Sequence, residues 1–160
     1  MNKSIFLLDC IKNANINYIL CVPCIYLKNF INKIKEDNKI KYISITREEE
    51  GVGICSGLWF GGIRSLLLIQ NSGLGNSINT IASLNKLYNI PILIFASYRG
   101  VENEKMVGQI PMGEITESIL KSLNIKYYDI SKVKNITNII NKTFLMRKIT
   151  VILIKPSYWE

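Results

Sequence analysis

The amino-acid sequence predicts a three-layer α/β/α fold with a six-stranded, mainly parallel sheet. Short apolar runs alternate with segments of helical spacing along the chain, a pattern typical of parallel sheets covered by helices on both faces. The apolar runs at 65–69 and 91–96 show no polar alternation, as expected for strands buried on both sides. No linker or internal repeat interrupts this pattern, so we expect one domain over residues 1–160.

Each predicted element follows from its residue spacing. The helix at 25–35 carries apolar residues at helical intervals, the helix at 48–60 is rich in small residues, and the stretch 97–113 is irregular. Irregular stretches of that length in compact domains are usually functional. The strands are predicted at 18–22, 42–45, 65–69, 91–96, 126–130 and 150–154, and the helices at 25–35, 48–60, 75–88, 115–123 and 133–147.

Composition excludes several classes of function. The chain contains no histidine, which excludes histidine-based triads and histidine metal sites, so we expect no metal ligands here. The formal net charge is +8, but the basic residues are scattered, which favours anionic ligands or an acidic partner over nucleic acid. No apolar run reaches the roughly 18 residues of a membrane span. Asp9 interrupts the first apolar stretch too early for a signal peptide, so we expect a cytoplasmic protein.

The four cysteines predict buried, reduced thiols. Cys10, Cys21, Cys24 and Cys55 lie in apolar stretches and not at the spacing of a disulfide framework. Cys21-Val-Pro-Cys24 resembles a redox Cys-x-x-Cys motif, but the surrounding thioredoxin pattern and a second cysteine pair for zinc are missing. We therefore favour a structural turn near a site.

Four segments that carry glycine or polar residues follow predicted strand ends. These segments are 23–24, 47–50, 70–76 and 97–113. In an open α/β sheet, ligands bind outside the carboxyl ends of the strands. The sequence therefore predicts that these segments converge on one functional edge.

The segment Gln70-Asn-Ser-Gly-Leu-Gly-Asn76 allows two interpretations. Its glycines permit a tight strand-to-helix turn, in which Asn or Ser caps the next helix. The amides at that helix start could instead hold an anion. The segment matches neither the P-loop nor the Gly-x-Gly-x-x-Gly fingerprint.

The run Arg47-Glu-Glu-Glu50 also allows two interpretations. Carboxylates in a first helical turn stabilise the helix through its macrodipole, so the run could be a solvated helix start. Gly51, Gly53 and Gly57 follow, although glycine weakens a helix, which indicates close packing against this helix. Arg99 follows a buried strand at the same edge and is the best of the loop cations for a ligand contact.

These motifs together resemble a known family. The chain is similar to the alpha subunits of sulfopyruvate decarboxylase and, more distantly, to phosphonopyruvate decarboxylases, over roughly residues 15–125. The motifs at 70–76 and 109–113 are specific, whereas the segment 57–62 is bulkier than the family pattern. The matching motifs are Val22-Pro-Cys, Arg47-Glu-Glu-Glu-Gly-Val-Gly-Ile-Cys-Ser-Gly57, Gln70-Asn-Ser-Gly-Leu-Gly-Asn-Ser77, Ser97-Tyr-Arg-Gly100 and Gln109-Ile-Pro-Met-Gly113.

The resemblance implies the thiamine-diphosphate-binding fold, with this chain as the pyrimidine domain. The family's second domain holds the diphosphate through a metal, using a Gly-Asp-Gly motif that is absent from this chain. We therefore expect a separate beta subunit that carries this domain and its Mg²⁺, with thiamine diphosphate bound between the two chains. A chain without this partner is expected to cover its apolar patches by forming a homodimer.

The family uses a glutamate that hydrogen-bonds the aminopyrimidine ring and so promotes proton removal from the thiazolium carbon. Counting nine positions back from Gly57 identifies Glu48, whereas matching Gly51-Val-Gly53 to a Gly-x-Gly motif identifies Glu49. Glu48 is the first choice and Glu49 the reserve. The resemblance also implies cofactor contacts at Asn71, Ser72 and Gly73, and we expect substrate contacts at Pro23, Cys24, Arg99 and Gln109.

The family's substrate is a small anionic 2-oxoacid. The resemblance implies decarboxylation of 3-sulfopyruvate to sulfoacetaldehyde and carbon dioxide, on the route to coenzyme M in methanogens. Phosphonopyruvate is the first alternative, because it too carries a tetrahedral anion. The second alternative is a non-catalytic regulatory or binding subunit of the same fold, which would have no need of a proton-relay carboxylate.

Overall fold

Six strands form one sheet in the computed structural model, which describes residues 2–160. The order across the sheet is β2-β1-β3-β4-β6-β5, and every neighbouring pair is parallel. The predicted α/β/α class is confirmed, and the sheet is wholly rather than mainly parallel. The strands are β1 (Tyr18–Cys21), β2 (Lys41–Ser44), β3 (Ser65–Gln70), β4 (Ile92–Ser97), β5 (Lys126–Asp129) and β6 (Ile149–Ile154).

Helices connect the strands along the described chain. A π-helical segment at Ile81–Lys86 follows α5, and short 3-10 turns lie at Ile25–Leu27, Val107–Gln109, Ile130–Lys132 and Pro156–Trp159. The α-helices are α1 (Lys3–Asn13), α2 (Lys28–Glu36), α3 (Glu48–Phe60), α4 (Asn71–Asn76), α5 (Ile78–Thr80), α6 (Ile110–Ser122) and α7 (Ile136–Leu145).

The central strands are buried on both faces, as the uniform apolar runs predicted. In β3, Leu66 and Leu68 belong to the core beneath α1, α2 and α7. Leu67 and Ile69 belong to the core beneath α3, α4 and α6, because successive side chains of a strand point to opposite faces. All four side chains are fully buried, and each such burial stabilises the fold by about 1.5–3 kcal/mol.

Helix α1 was not predicted from the sequence. Asn2 caps it, with its side-chain oxygen accepting hydrogen bonds from the backbone N–H groups of Ser4 and Ile5. Leu7 and Ile11, one turn apart, are fully buried against the sheet. The missed signal was therefore a polar cap followed by apolar residues at helical spacing.

The segment 70–76 was predicted as a turn before a helix at 75–88, and that boundary is wrong. Strand β3 ends at Gln70 and α4 begins at Asn71 without an intervening turn or a side-chain cap. Asn71 is turned into the protein, where other polar groups satisfy it, and therefore does not cap the helix. Helix α6 likewise begins at Ile110, so the irregular connection after β4 is shorter than predicted.

Candidate active site

The carboxyl ends of β1, β3 and β4 meet at one edge of the sheet, as the four polar segments predicted. Cys24, after β1, places its Sγ atom 3.5 Å from Ser97 Oγ at the end of β4. The chain leaves the neighbouring strands β1 and β3 toward opposite faces, because α2 packs into one core and α4 into the other. Such a reversal opens the crevice in which α/β proteins bind ligands.

Glu48 is the first residue of α3, and its side chain crosses to α4 on the same face of the sheet. It rests on Gly73, where a Cβ atom would lie 2.8 Å from Glu48 Oε1. Asn76 donates a hydrogen bond from Nδ2 to Glu48 Oε2 at 3.1 Å. Among residues 2–160 no group donates to Glu48 Oε1, so this oxygen is free to accept a bond from a ligand.

Glu49, the reserve candidate, is engaged differently. Arg47 pairs with it, with the guanidinium Nη2 2.6 Å from Glu49 Oε1. A backbone N–H and the Arg47 guanidinium lower the pKa of Glu49 below its ordinary value. A carboxylate held in the ionised state by a neighbouring cation is poorly suited to exchanging a proton. The other oxygen of Glu49, Oε2, is buried without a hydrogen-bond partner within residues 2–160, so the pairing with Arg47 and the lowered pKa are what favour Glu48 as the proton-relay group.

Glu50, the third carboxylate of the run, has a structural role. Its Oε2 atom accepts hydrogen bonds from the backbone N–H and the hydroxyl of Thr46, at 3.2 and 3.1 Å. These bonds tie the start of α3 to the chain that leaves β2. The three adjacent glutamates thus do three different things: Glu48 crosses to α4, Glu49 pairs with Arg47, and Glu50 fixes the helix start.

Asn71 was predicted to contact the cofactor, but the structure places its side chain in the interior with no exposed surface. Its Nδ2 atom donates to the Arg99 carbonyl at 3.0 Å and to Thr116 Oγ1 at 2.8 Å. Its Oδ1 atom accepts from the Arg99 backbone N–H at 3.0 Å. A buried amide used in this way joins α4, α6 and the loop after β4, which does not fit a direct ligand contact. Ser72, by contrast, is half-buried beside Gly73.

Arg99 was predicted to bind the charged end of the substrate, and the structure engages it within the chain. Its Nε and Nη2 atoms donate to Glu104 at 2.6 and 2.8 Å, and its guanidinium lies 4.5 Å from the centre of the Tyr26 ring. Both side chains of the ion pair are almost fully buried. The guanidinium, opposed by the burial of the carboxylate, lowers the pKa of Glu104 to about 2.

Pro23 and Cys24 border a cavity of about 280 Å³ at the end of β1. Its lining is mainly apolar, and Lys28 contributes a positive charge. Lys28 was not among the predicted site residues. The contact of Asn76 with Glu48 was also missed, because it depends on how α3 and α4 pack together.

Gln109 lies at the end of the irregular connection, one residue before α6. Its Oε1 atom is buried and has no hydrogen-bond partner within residues 2–160. Buried polar atoms without partners are rare, and a ligand is one explanation for them. The structure thus places Glu48, Gly73, Cys24 and Gln109 at one edge of the sheet. The side chains of Asn71 and Arg99 are instead buried and hydrogen-bonded within the chain.

Comparison with known proteins places this chain in a family. The chain is 42% identical over its whole length to sulfopyruvate decarboxylase subunit alpha of Methanococcus maripaludis, covering 98% of that protein. It is 45% identical over 80% of its length to sulfopyruvate decarboxylase subunit alpha of Methanocaldococcus jannaschii, covering 76% of that protein.

The chain belongs to the sulfopyruvate decarboxylase subunit alpha family. Phosphonopyruvate decarboxylase of Streptomyces viridochromogenes is a more partial relative, 36% identical over 66% of this chain and 27% of its own length. No family model matches the chain.

Solved structures share the fold at low sequence identity. Benzoylformate decarboxylase of Polynucleobacter necessarius matches 99% of the chain with a TM-score of 0.71 and 13% identity. The thiamine diphosphate-dependent 4-hydroxybenzoylformate decarboxylase of Rhodococcus jostii RHA1 matches with a TM-score of 0.73 and 13% identity. This chain spans about a third of the length of those structures, 30% and 31% respectively. These matches show the fold alone.

Three further structural features belong to residues 2–160. None of the helices in this range is long and apolar enough to cross a membrane. Within the same range, no three acidic or cysteine side chains cluster closely enough to hold a metal ion. All four cysteines are buried and unpaired with one another, as predicted.

Proposed function

We propose that this chain is the pyrimidine-side alpha subunit of a thiamine-diphosphate-dependent decarboxylase acting on 3-sulfopyruvate. The observation that carries the proposal is the Glu48 carboxylate, held between α3 and α4 with one oxygen free. The relatives named sulfopyruvate decarboxylase subunit alpha support the reaction, and coenzyme M biosynthesis is the metabolic setting that the family implies. A cytoplasmic location is part of the proposal.

The residues at the edge fit the aminopyrimidine ring of thiamine diphosphate. Glu48 packs against the backbone of Gly73, where any larger residue would displace it, and its Oε1 atom can accept a hydrogen bond from a protonated ring nitrogen. When bound, thiamine diphosphate supplies an electron sink for the carbanion that remains as carbon dioxide leaves a 2-oxoacid. Ser72, half-buried beside Gly73 on α4, carries the adjacent hydroxyl.

The proposed contribution of this chain to catalysis is the placement of one proton-exchanging group. Asn76 donates to Oε2 of Glu48, and Gly73 makes room for the carboxylate, so α4 fixes the position of the side chain. Asn71 acts indirectly, because it fixes α4, on which Gly73 and Asn76 lie, to the loop after β4. Positioned proton transfer of this kind contributes on the order of 10²–10⁴-fold to a rate.

A beta subunit is the second part of the proposal. This chain has no Gly-Asp-Gly motif, and relatives that it matches over most of their length are named subunit alpha. We propose that the beta subunit carries the diphosphate-binding half together with Mg²⁺. The cofactor would then lie between the two chains, with Glu48 contributed from this side.

Recognition of the substrate's tetrahedral anion is the third part. Arg99 is almost fully buried and paired with Glu104, so we propose other donors for the sulfonate. Lys28 is the one cation among the residues that line the cavity beside Cys24. We propose the cavity bordered by Pro23, Cys24 and Lys28, together with Gln109, as the substrate end of the site.

Co-expression with the beta subunit of the same organism tests the proposal. The purified complex, supplied with thiamine diphosphate and Mg²⁺, is expected to release carbon dioxide from 3-sulfopyruvate and to form sulfoacetaldehyde. Each subunit alone is expected to be inactive. Absence of turnover by an assembled, cofactor-loaded complex would refute the decarboxylase proposal and favour a regulatory subunit of the same fold.

Parallel assays with phosphonopyruvate separate the two candidate substrates. The more partial match to phosphonopyruvate decarboxylase is the observation that supports phosphonopyruvate as the alternative substrate. A higher kcat/KM for 3-sulfopyruvate is expected, and the reverse order would transfer the assignment to phosphonopyruvate. Pyruvate lacks the tetrahedral anion. Comparing kcat/KM for pyruvate with kcat/KM for 3-sulfopyruvate therefore measures how much of the specificity this group supplies.

A further inference from the structure

The loop between β4 and α6, residues 98–109, has an unusual backbone. Gly100, Glu102 and Asn103 have φ values of +78°, 54° and 36°, all in the left-handed region. Residues other than glycine adopt that region rarely, because their Cβ atom crowds the following carbonyl. Two such residues in succession require that the surrounding structure hold the loop in place.

Glu104 supplies that hold. Its Oε2 atom accepts hydrogen bonds from Arg99 Nε at 2.6 Å and from the Gly100 backbone N–H at 3.3 Å. Its Oε1 atom accepts from Arg99 Nη2 at 2.8 Å and from the Met106 backbone N–H at 3.0 Å. The carboxylate therefore fastens both ends of the left-handed segment to a buried cation. Charge-assisted bonds of this kind are the strong ones in proteins.

The same contacts reach Gln109 through Gly100. A Cβ atom at Gly100 would lie 2.8 Å from the carbonyl carbon of Gln109 and 2.8 Å from Gly113 Cα. Conversely, a Cβ atom at Gly113 would lie 2.6 Å from Gly100 Cα. The backbone that Glu104 grips is thus packed directly against the start of α6, so a shift of Gly100 would displace Gln109.

Gln109 is the residue at the proposed substrate end of the site that a shift of this loop would move. Its buried Oε1 atom has no partner within the described chain and can accept a hydrogen bond from a ligand or from water. Asn71 fixes the other end of the loop by bonding both the N–H and the carbonyl of Arg99. The loop is therefore held at Arg99 by Asn71, and Glu104 bonds both the Arg99 side chain and the Gly100 backbone.

We propose that Glu104 is a positioning residue, which holds the 98–109 loop so that Gln109 stays at the substrate end of the site. In this proposal Arg99 acts on the substrate through this loop, because its side chain is almost fully buried and its Nε and Nη2 atoms donate to Glu104. This inference rests on the proposed function, since Gln109 is placed at the substrate end there. It adds a residue that no motif of the resemblance contains.

Amide hydrogen exchange on the full-length chain tests the hold without any assay of activity. Exchange at the Met106 N–H is expected to be at least about tenfold faster in Glu104→Gln than in the wild type, because the neutral amide is a weaker acceptor. Glu102→Gln is the matched control. Glu102 belongs to the same loop and accepts two bonds from Ser157, but it has no bond to Arg99. Equal exchange at Met106 in wild type and Glu104→Gln would overturn the proposal.

Kinetics of the assembled complex test the consequence for the substrate. Glu104→Gln is expected to raise KM for 3-sulfopyruvate at least about tenfold while kcat changes less than about threefold, because substrate placement is disturbed and the Glu48 relay is not. Glu102→Gln is expected to stay near the wild type. An equal rise in both variants would show that the loop needs only tethering and would overturn the role of Glu104. A wild-type complex without activity would refute the proposed function, while the exchange at Met106 would still decide whether Glu104 holds the loop.

Discussion

Glu48 rests on the bare backbone of Gly73, and a Cβ atom at position 73 would lie 2.8 Å from Glu48 Oε1. The two residues come from different helices, α3 and α4, that begin after different strands. The absence of a side chain at one position therefore sets the location of the carboxylate at the other. This relationship can be tested by filling the space.

Gly73→Ala is expected to push the Glu48 carboxylate out of place and to lower kcat of the assembled complex by about 10- to 100-fold. Gly75→Ala is the matched control in the same helix, because a Cβ atom there meets only the flexible end of Met112 at 3.4 Å. We expect this control to keep nearly full activity. Comparable losses in the two variants would show that α4 tolerates no methyl group, and that the contact with Glu48 is not what matters.

Glu48→Gln is expected to reduce decarboxylation by at least about 100-fold, because an amide cannot exchange the proton that the relay requires. We expect the two subunits still to assemble, as measured by size-exclusion chromatography. Glu49→Gln removes a neighbouring carboxylate that pairs with Arg47, and we expect it to lower turnover less than fivefold. The opposite ranking of the two variants would assign the relay to Glu49.

The fold was predictable because its strands carry uninterrupted apolar runs. Leu66 to Ile69 of β3 are buried on both faces of the sheet. Burial of this kind is expected when helices cover both sides of a parallel sheet. Helix α3 was predicted with its observed bounds, since the acidic first turn and Gly61 mark its two ends. Helix boundaries failed where a polar residue served a tertiary contact, as Asn71 does.

The candidate site was predictable only as far as residue types near strand ends go. The sequence indicated that Glu48, Asn71 and Arg99 gather at one edge, because parallel strands bring their carboxyl ends together. It could not indicate that Arg99 is neutralised by Glu104, five positions along the chain. That pairing depends on left-handed residues in the intervening loop, which no apolar pattern encodes.

Asn71→Ala is expected to destabilise the isolated chain by about 2 kcal/mol, because it removes the Asn71 donor of the buried Arg99 carbonyl and of Thr116 Oγ1. Urea unfolding followed by circular dichroism measures the change. Asn79→Ala, an exposed asparagine on α5, is the control and is expected to change the free energy of unfolding by less than about 0.5 kcal/mol. Equal stability of the wild type and Asn71→Ala would show that the hydrogen bonds of the Asn71 side chain make no net contribution to the free energy of unfolding.

The four thiols are expected to be unreactive in the folded protein. Burial raises the pKa of Cys21 to about 11 and that of Cys55 to about 12, and Cys10 and Cys24 are also buried. Only the thiolate reacts readily with Ellman's reagent. At pH 8 we expect slow labelling of the native chain and rapid labelling of all four cysteines in guanidinium chloride. Fast native labelling of Cys21 and Cys24 would revive the redox interpretation of Cys-x-x-Cys.

Acid is expected to weaken the contribution of the Arg99–Glu104 pair in a defined direction. The folded protein holds the pKa of Glu104 at about 2, below the ordinary 4.5, so the ionised carboxylate stabilises the fold in full above pH 4.5. That contribution is lost progressively as the pH falls from 4.5 toward 2. Glu104→Gln lacks it at every pH, so the difference between the two proteins isolates this one group from the other carboxylates that titrate in the same range.

Urea unfolding of the isolated chain at two pH values measures this difference. We expect wild type to exceed Glu104→Gln by about 3 kcal/mol at pH 7 and by roughly half of that at pH 3. Glu102→Gln, whose carboxylate bonds only to Ser157 on the surface, is expected to differ little from the wild type at either pH. A gap between wild type and Glu104→Gln that stays constant with pH would show that the side chain stabilises the loop by its shape, because only the ionised form of Glu104 can make the stability of the pair depend on pH.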